Sequence, residues 1–470
     1  MAGFIATAAD SKTPGSDDAG GETDASSNSS PTIKALVAED HRHEIKLRTM
    51  SWQKAAWLLC GDQVGLAIMA QPWSFSVLGW VPSIITSVVA GVLFWITSMT
   101  MFRFLMKHPQ IKDICDFGYY IFGRSRGAYA FSAFMLLANN IMLIGFHILT
   151  GAKVFNTLSD HSQCTVVFSV IVTLIGVVLS VVRTLHHVSF MSLFSAACML
   201  VAIVLCLVFA GIQAAPAADG VHSGPVQTYA FPPPGTTWVD CINAVLNITF
   251  LWVPQILFPA FIAEMEHPAD FPKSLAVLTS ITFVLFLVPP AVGFHYLGQY
   301  ATAPAFGSIA NVVYKKASFV FVLGPTFVIG VIYANTTAKF VYGWLMGSSR
   351  HAHSNTVLGW GVWVAVISAV WLVSFVFAEV IPSMGDFLSL LGAAFDSFFG
   401  YIYFAVTYVH LYRGQFFAGP VRSMLTVAHV FVMAVGLFLL GPGLYAAVKA
   451  IIADYSGGTS PAFTCASNGI

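Results

Sequence analysis

Asp62 follows Gly61 and precedes Gly65, ten residues before Pro72, in an otherwise apolar stretch, WLLCGDQVGLAIMAQPWSFSVLGW at 57–80. A carboxylate at the centre of a membrane helix costs about 2.5–3.5 kcal/mol on insertion scales, so it usually marks function. Three roles are open to it. Desolvation favours the neutral form of a carboxyl, so such a group can carry a proton. It can pair with a cation, or it can cap a break in the helix. Unwinding at 61–67 frees carbonyls on one half-helix and amides on the other. The amides near Ala67 and Ile68 open the outer half and suit a carboxylate. Gly65 lets backbone approach a ligand closely. The freed carbonyls suit an ammonium group or a cation. An unwound helix of this kind recognises a zwitterion; the alternative is a kinked helix with no ligand.

A second stretch, NAVLNITFLWVPQILFPAFIAEM at 243–265, places Asn247, Gln255 and Glu264 near one helix face. Phe250 and Trp252 can close over a substrate side chain or simply pack. Asn139, Asn140 and His147 share a third segment. Adjacent side chains diverge by about 100° on a helix, so at most one of the two amides points squarely into a site, and Asn140 is taken as that one. Asn335, Thr336 and Thr337 lie on an eighth segment, where the two hydroxyls can ligate sodium or bond their own helix backbone. Asp386 and Asp396 lie on a tenth; Asp396 is the deeper and needs a partner.

These groups need helices across a bilayer to position them. Hydrophobic residues make up 57% of the chain and charged residues 9%, against about 25% charged in soluble domains. A hydrocarbon core takes about 20 apolar residues per helix. Eleven segments qualify: 54–79, 81–105, 127–153, 164–182, 187–212, 238–263, 274–297, 318–346, 358–378, 384–411 and 424–450. The fold class is all-α. Residues 1–50, rich in Gly, Ser, Asp and Thr, predict a disordered tail. With that tail cytoplasmic, 17 of the 21 Lys and Arg fall inside, which supports eleven spans and an extracytoplasmic C-terminus at 453–470.

The first and sixth segments carry breakers at their middles, Gly61/Gly65/Pro72 and Pro254/Pro259, five helices apart. Matching interruptions predict a five-plus-five inverted repeat, 54–212 and 238–411, with a site at the midplane. The segment 424–450 is then an extra helix within a transporter domain of 51–452.

Several classes are excluded. Zero net charge leaves no basic surface for nucleic acid. No GxSxG, HExxH or phosphate-binding glycine loop is present, so neither an enzyme nor an ATP-driven pump is indicated, and no cofactor is implied. The seven cysteines show no metal-binding spacing. Cys164, Cys241 and Cys465 fall near the outer face, where one disulfide among them or all free thiols are both open. The sequons at Asn28, Asn247 and Asn335 fall in the tail or within the membrane, so none should be glycosylated.

Several motifs together resemble one family. Gly65-Leu-Ala67-Ile-Met69-Ala-Gln71-Pro72 is similar to its G-x-G-x-L-x-x-P pattern, with Ala67 and Met69 departing from it. FGRSRGAYAF, Asn139-Asn140-Ile141, DHSQCTVVFSVIV, FIAEMEHPADFPKSL, YLGQYATAPAFGS and LLGAAFDSFFG extend the likeness across 45–450. The chain resembles the amino acid/auxin permease family, and within it the fungal neutral amino acid permeases. That resemblance implies the leucine-transporter-like fold and secondary active amino acid transport, usually proton-coupled in fungi. It implies Gln255 in the broken part of the sixth helix and leaves sodium open through Thr336 and Thr337. The expected assembly is a multi-pass symporter, in the plasma membrane or alternatively the vacuolar membrane. The competing class is an amino acid receptor on a transporter scaffold.

Overall fold

The computed structural model describes residues 50–181, 188–213, 216, 225–347, 349, 356–381, 383–456 and 462–470. Residues 1–49 of the expected tail lie outside them, as do Lys12, Lys34, Arg42, Lys46, Arg48, Arg183, Arg350 and Asn28, whereas Met50, its last residue, is described and buried. Among the described residues the chain is helical, with no strand and one isolated bridge, Met50 with Met265.

The first expected segment is not one helix. α1 (Trp52–Gln63) starts at Ser51, whose side chain accepts from the Lys54 amide. It ends at Val64, and Gly65 is extended at φ −107°, ψ 177°. A 3-10 turn at Leu66–Ala70 leads into α2 (Gln71–Leu78). Pro72 sits in the first turn of α2, where a missing N–H costs little. The break is therefore at Val64–Gly65, and the proline restarts the helix rather than breaking it.

α3 (Trp80–Lys107) follows, then a short helix, α4 (Ile114–Ile121), in what reads from sequence as a polar connection. Asp113 caps α4, and its Ile114, Phe117 and Ile121 are buried at helical spacing. α5 (Arg126–Ser159), α6 (Thr165–Ser180) and α7 (Val188–Ile212) complete the first half.

The second half opens with another interruption. α8 (Trp238–Phe250) begins with a reciprocal capping box between Thr237 and Asp240. It stops at Phe250, a 3-10 turn covers Pro254–Leu257, and α9 (Phe258–Glu264) resumes with Pro259 in its first turn. α10 (Phe271–Leu297), α11 (Val312–Phe319), α12 (Leu323–Met346) and α13 (Val357–Val380) follow. The tenth expected segment is composite: α14 (Met384–Leu391), a π-helical run at Gly392–Ile402, then α15 (Tyr403–Leu411). α16 (Pro420–Phe438) and α17 (Leu444–Ser456), joined by a π turn at Leu439–Gly443, close the chain.

Nine stretches among the described residues are long and apolar enough to cross a membrane. The other two expected segments are helical but shorter: Leu66–Leu78 after the first break, and Thr165–Ser180, about 24 Å long.

Polar contacts tie the two broken helices together at both ends. Gln71 Nε2 donates to Ala67 O at 3.2 Å and to Asn247 O at 3.0 Å, joining the outer halves. Asn247 Nδ2 donates in turn to Asn243 O, Gly385 O and Ser389 Oγ at 2.8–3.2 Å, carrying the connection to α14. At the other end Met50 N donates to Glu264 O at 3.1 Å and Glu266 N to Met50 O at 2.9 Å. The buried NH2 groups of Gln71 and Asn247 find acceptors only in this relative placement, since a slip would orphan them.

Cys164 and Cys465 form a disulfide, and Cys241 is free. The C-terminal segment it holds also bonds α5 and α6, through Asn156 Nδ2 to Asn468 Oδ1 and Thr165 Oγ1 to Ala466 O, each 2.6 Å.

Candidate functional site

The two helix breaks face one another across a cavity of about 100 Å³. Asp62, Gly65, Leu66 and Ala67 line it from the first break; Phe250, Val253 and Pro254 line it from the second. α5 contributes Asn139 and His147, α12 contributes Tyr333, and the π-helical run contributes Asp396 and Phe399. Four different elements therefore supply its polar groups.

Backbone geometry explains why these residues meet. The end of α1 presents Asp62 on its last turn, and extended Gly65 turns the chain so that Leu66 and Ala67 open the next helical stretch. Amides at such a start lack partners within the helix and carry partial positive charge. On the opposite wall, Gly400 of the π run lies against the second break. A Cβ there would come within 2.7 Å of Val253 Cγ2 and 2.9 Å of its Cγ1. A β-branched side chain has little rotamer freedom with which to yield. Glycine at 400 thus lets the Asp396-bearing helix pack directly on the break. The π run widens each turn and carries Asp396 to the cavity wall.

Electrostatically the cavity is one-sided. It holds two carboxyl groups, and no Lys or Arg lines it among the described residues. Asp396 is 6% exposed and its Oδ2 has no hydrogen-bond partner. His147 is buried with Nδ1 unpartnered. A site with this inventory can accept an ammonium group or a proton, and it disfavours an added negative charge. No group of three or more potential metal-ligating side chains is found among the described residues.

Of the residues singled out from sequence, Asp62, Gly65, Ala67 and Phe250 line the cavity. Ile68 is fully buried in the 3-10 turn, and its amide already donates to Gly65 O at 3.4 Å. Asn140 sits beside the lining residue rather than in the wall; Asn139 faces in and donates to Asn140 Oδ1 at 3.5 Å. The 100° step between neighbours makes that choice: Asn139 lines the cavity where the expectation named Asn140. Trp252 points away from the cavity, among Phe94, Phe283 and Phe286, with ring centroids 6.0, 4.8 and 5.0 Å away. Gln255 is buried and donates to Thr97 Oγ1 of α3 at 3.1 Å. Thr336 is exposed and donates to Ile332 O of its own helix at 2.9 Å. Thr337 is buried with its hydroxyl unpartnered, and neither threonine lines the cavity.

Residues passed over in the sequence include Tyr333, Phe399 and Gln71. Tyr333 had no signal, since one tyrosine in an apolar helix is unremarkable. Gln71 had one: an amide four residues after Ala67 and directly before Pro72, within a turn of a suspected break.

Residues 48–448 match the family described as transmembrane amino acid transporter protein. The chain belongs to that family. Among relatives of the transmembrane amino acid transporter family, the N amino acid transport system protein of Neurospora crassa is 26% identical over 424 residues, covering 90% of this chain and 89% of that one. A transmembrane transporter of Fusarium pseudograminearum is 25% identical over 434 residues, covering 92% and 90%. Among solved structures, Mhp1, a nucleobase-cation-symport-1 family transporter in a closed conformation with bromovinylhydantoin bound, superposes with a TM-score of 0.50. It is 15% identical, covering 87% of this chain and 93% of that one, and the likeness shows the leucine-transporter-like fold.

Proposed function

We propose that this family member is a proton-coupled symporter of neutral amino acids working by alternating access. The observation that carries the reading is the cavity itself: two helix breaks and two carboxyl groups, with no basic side chain in the wall. The substrate carboxylate meets the amides at Leu66 and Ala67. Its ammonium meets carbonyls freed at the breaks and the carboxyl of Asp396. Phe250 and Phe399 bound the side-chain end. Asp62 takes up and releases the coupling proton. Because Gln71 and the Met50 bridge join the two broken helices, both breaks move as one unit when the site changes sides.

The proton reading is preferred to sodium because the expected hydroxyl pair divides. Thr336 turns outward and Thr337 lies outside the cavity wall. Eleven spans, counting the two shorter helices, would put the two termini on opposite sides of the membrane. The Cys164–Cys465 disulfide supports an extracytoplasmic C-terminus, because disulfides persist on oxidising sides of membranes. The plasma membrane is the proposed site of action.

Uptake of labelled amino acids into proteoliposomes, under an imposed pH gradient or an imposed sodium gradient, tests the reading. Accumulation driven by the pH gradient alone is expected. A requirement for sodium would overturn the coupling assignment. Saturable binding with no flux under either gradient would make the chain a receptor on this scaffold.

A further inference from the structure

A second cavity, about 360 Å³, opens where α3, α4 and α15 end, away from the helix breaks. Lys107 is the last residue of α3, His108 follows it, and His410 lies in the last turn of α15. Arg124 reaches in from the turn after α4, and Tyr120 and Phe104 complete an aromatic wall. No carboxylate lines this cavity among the described residues. Asp113 and Asp116 are nearby in sequence but are engaged at the other end of α4, Asp113 Oδ1 with the Asp116 amide and Asp116 Oδ2 with the Lys112 amide. His108 is held below the usual imidazole range by burial, by Arg124 and by Lys107, so the basic groups are close enough to disfavour one another.

Basic side chains at helix C-termini are common in their own right, because the helix dipole favours them. That accounts for Lys107 and His410 but not for Arg124. α4 closes with Phe122 N donating to Gly118 O and Arg124 N to Tyr119 O, and Gly123 takes φ 72°. Arg124 then also takes a left-handed conformation, φ 60°, which a non-glycine residue adopts only at a cost. This conformation leaves its guanidinium 5.5 Å from the Tyr120 ring centroid, at the cavity. Tyr120 is itself stacked on His108 at 5.6 Å.

We propose that this cavity binds a phosphate monoester carried on a ring, such as the headgroup of a phosphorylated inositol lipid. Lys107 and Arg124 supply two full positive charges, which match the roughly −1.5 to −2 of a phosphate monoester and exceed the single charge of a phosphodiester. The histidines add hydrogen-bond donors. The volume exceeds that of a lone phosphate, and the His108–Tyr120 wall offers a flat surface to the attached ring. The cavity lies at the ends of two long apolar helices, the depth of lipid headgroups, where basic pockets hold such lipids. The same chemistry is available from a soluble inositol phosphate, and the two sources separate experimentally. The inference does not depend on the transport reading.

The test uses the full chain. Binding is measured for vesicles of phosphatidylcholine carrying phosphatidylinositol bisphosphate, for vesicles carrying phosphatidylserine, and for soluble inositol trisphosphate with the detergent-purified protein. The bisphosphate lipid should bind, and the Lys107→Gln/Arg124→Gln variant should lose about tenfold or more of that affinity. Lys273→Gln, which removes a basic residue outside the cavity, should lose none. Soluble inositol trisphosphate binding as tightly as the lipid assigns the site to a soluble ligand; weaker binding assigns it to the membrane. Should the double variant not fold, competition on the unaltered protein decides: inositol trisphosphate, in excess sufficient to offset any weaker affinity, must displace the bisphosphate lipid and phosphatidylserine at the same excess must not. Equal binding of phosphatidylserine, unchanged binding in the double variant, or failure of that competition would overturn the proposal.

Discussion

At the scale of single residues, the two cavity carboxyls are chemically similar but differently held. Asp62 sits on the last turn of α1 beside the break, and Asp396 sits on a π-helical run with one oxygen unpartnered. If Asp62 is the proton carrier, Asp62→Asn should abolish gradient-driven accumulation while sparing substrate exchange. Asp396→Asn should instead weaken substrate binding, raising KM about tenfold or more, the scale of one lost charge-assisted contact. Uptake and counterflow in proteoliposomes separate the two, and unchanged accumulation in Asp62→Asn would remove it from coupling. Thr336→Ala should leave uptake unaltered, since its hydroxyl bonds only its own helix; a sodium-dependent loss would bring the hydroxyl back into the mechanism. Outside the membrane, burial and the Asp113 carboxylate push Asp116 up to about 6. The folded chain then holds that proton more tightly than the unfolded chain, where a carboxyl titrates at about 4. Stability should fall as pH rises from about 4 through about 6, and Asp116→Asn should flatten that part of the profile. Thermal unfolding measured across this range checks the sign, and an unflattened variant profile would contradict it.

At the scale of elements, two broken helices are held in register by side-chain and backbone hydrogen bonds. Helix breaks cost backbone hydrogen bonds, and the freed groups need partners or a ligand. The chain meets this partly with its own side chains. Gln71 takes up Ala67 O and Asn247 O, and Asn247 passes the connection to Gly385 and Ser389. Gln71→Met keeps the volume and removes both donations. It should destabilise the protein by about 1–3 kcal/mol, the cost of leaving buried carbonyls unpaired. It should also lower transport more than substrate binding, because the outer halves would no longer move together. Equal losses in flux and affinity would place Gln71 in substrate recognition instead.

At the scale of the whole molecule, the C-terminal segment is tied back onto α5 and α6 in the first half of the chain. The disulfide links positions 301 residues apart, and Ile470 N donates to Thr157 Oγ1 at 3.1 Å. Closing so long a loop removes freedom from the unfolded chain, by a few kcal/mol in the chain-entropy account. Cys465→Ser should therefore lower the thermal midpoint under oxidising conditions and have no effect once the protein is reduced. The same residue reports orientation: after mild reduction, an impermeant thiol reagent should reach Cys465 from outside intact cells. Labelling only after permeabilisation would place the C-terminus in the cytoplasm.

Local chemistry was enough to settle much of this. Apolar runs of about 20 residues specify membrane helices, because bilayer thickness and helix rise are fixed. All eleven expected segments contain helix. A carboxylate between glycines marked the first break for the same kind of reason, since its cost can be read without knowing its neighbours. What sequence could not decide was direction and partnership. Whether Asn139 or Asn140 faces the cavity depends on how α5 is rotated against its neighbours, and whether Trp252 closes a site or fills a gap depends on Gly91 of α3, where a Cβ would meet its ring at 2.8 Å. Asp396 reaches the cavity only because eleven residues wind as a π helix against the second break, where Gly400 admits Val253. The disulfide joined Cys164 to Cys465 and not to Cys241 because the C-terminal segment folds back over α5 and α6. Helix identity follows from short-range energetics, whereas helix rotation and long-range pairing are set by packing among segments far apart in the chain, and only the tertiary structure contains that.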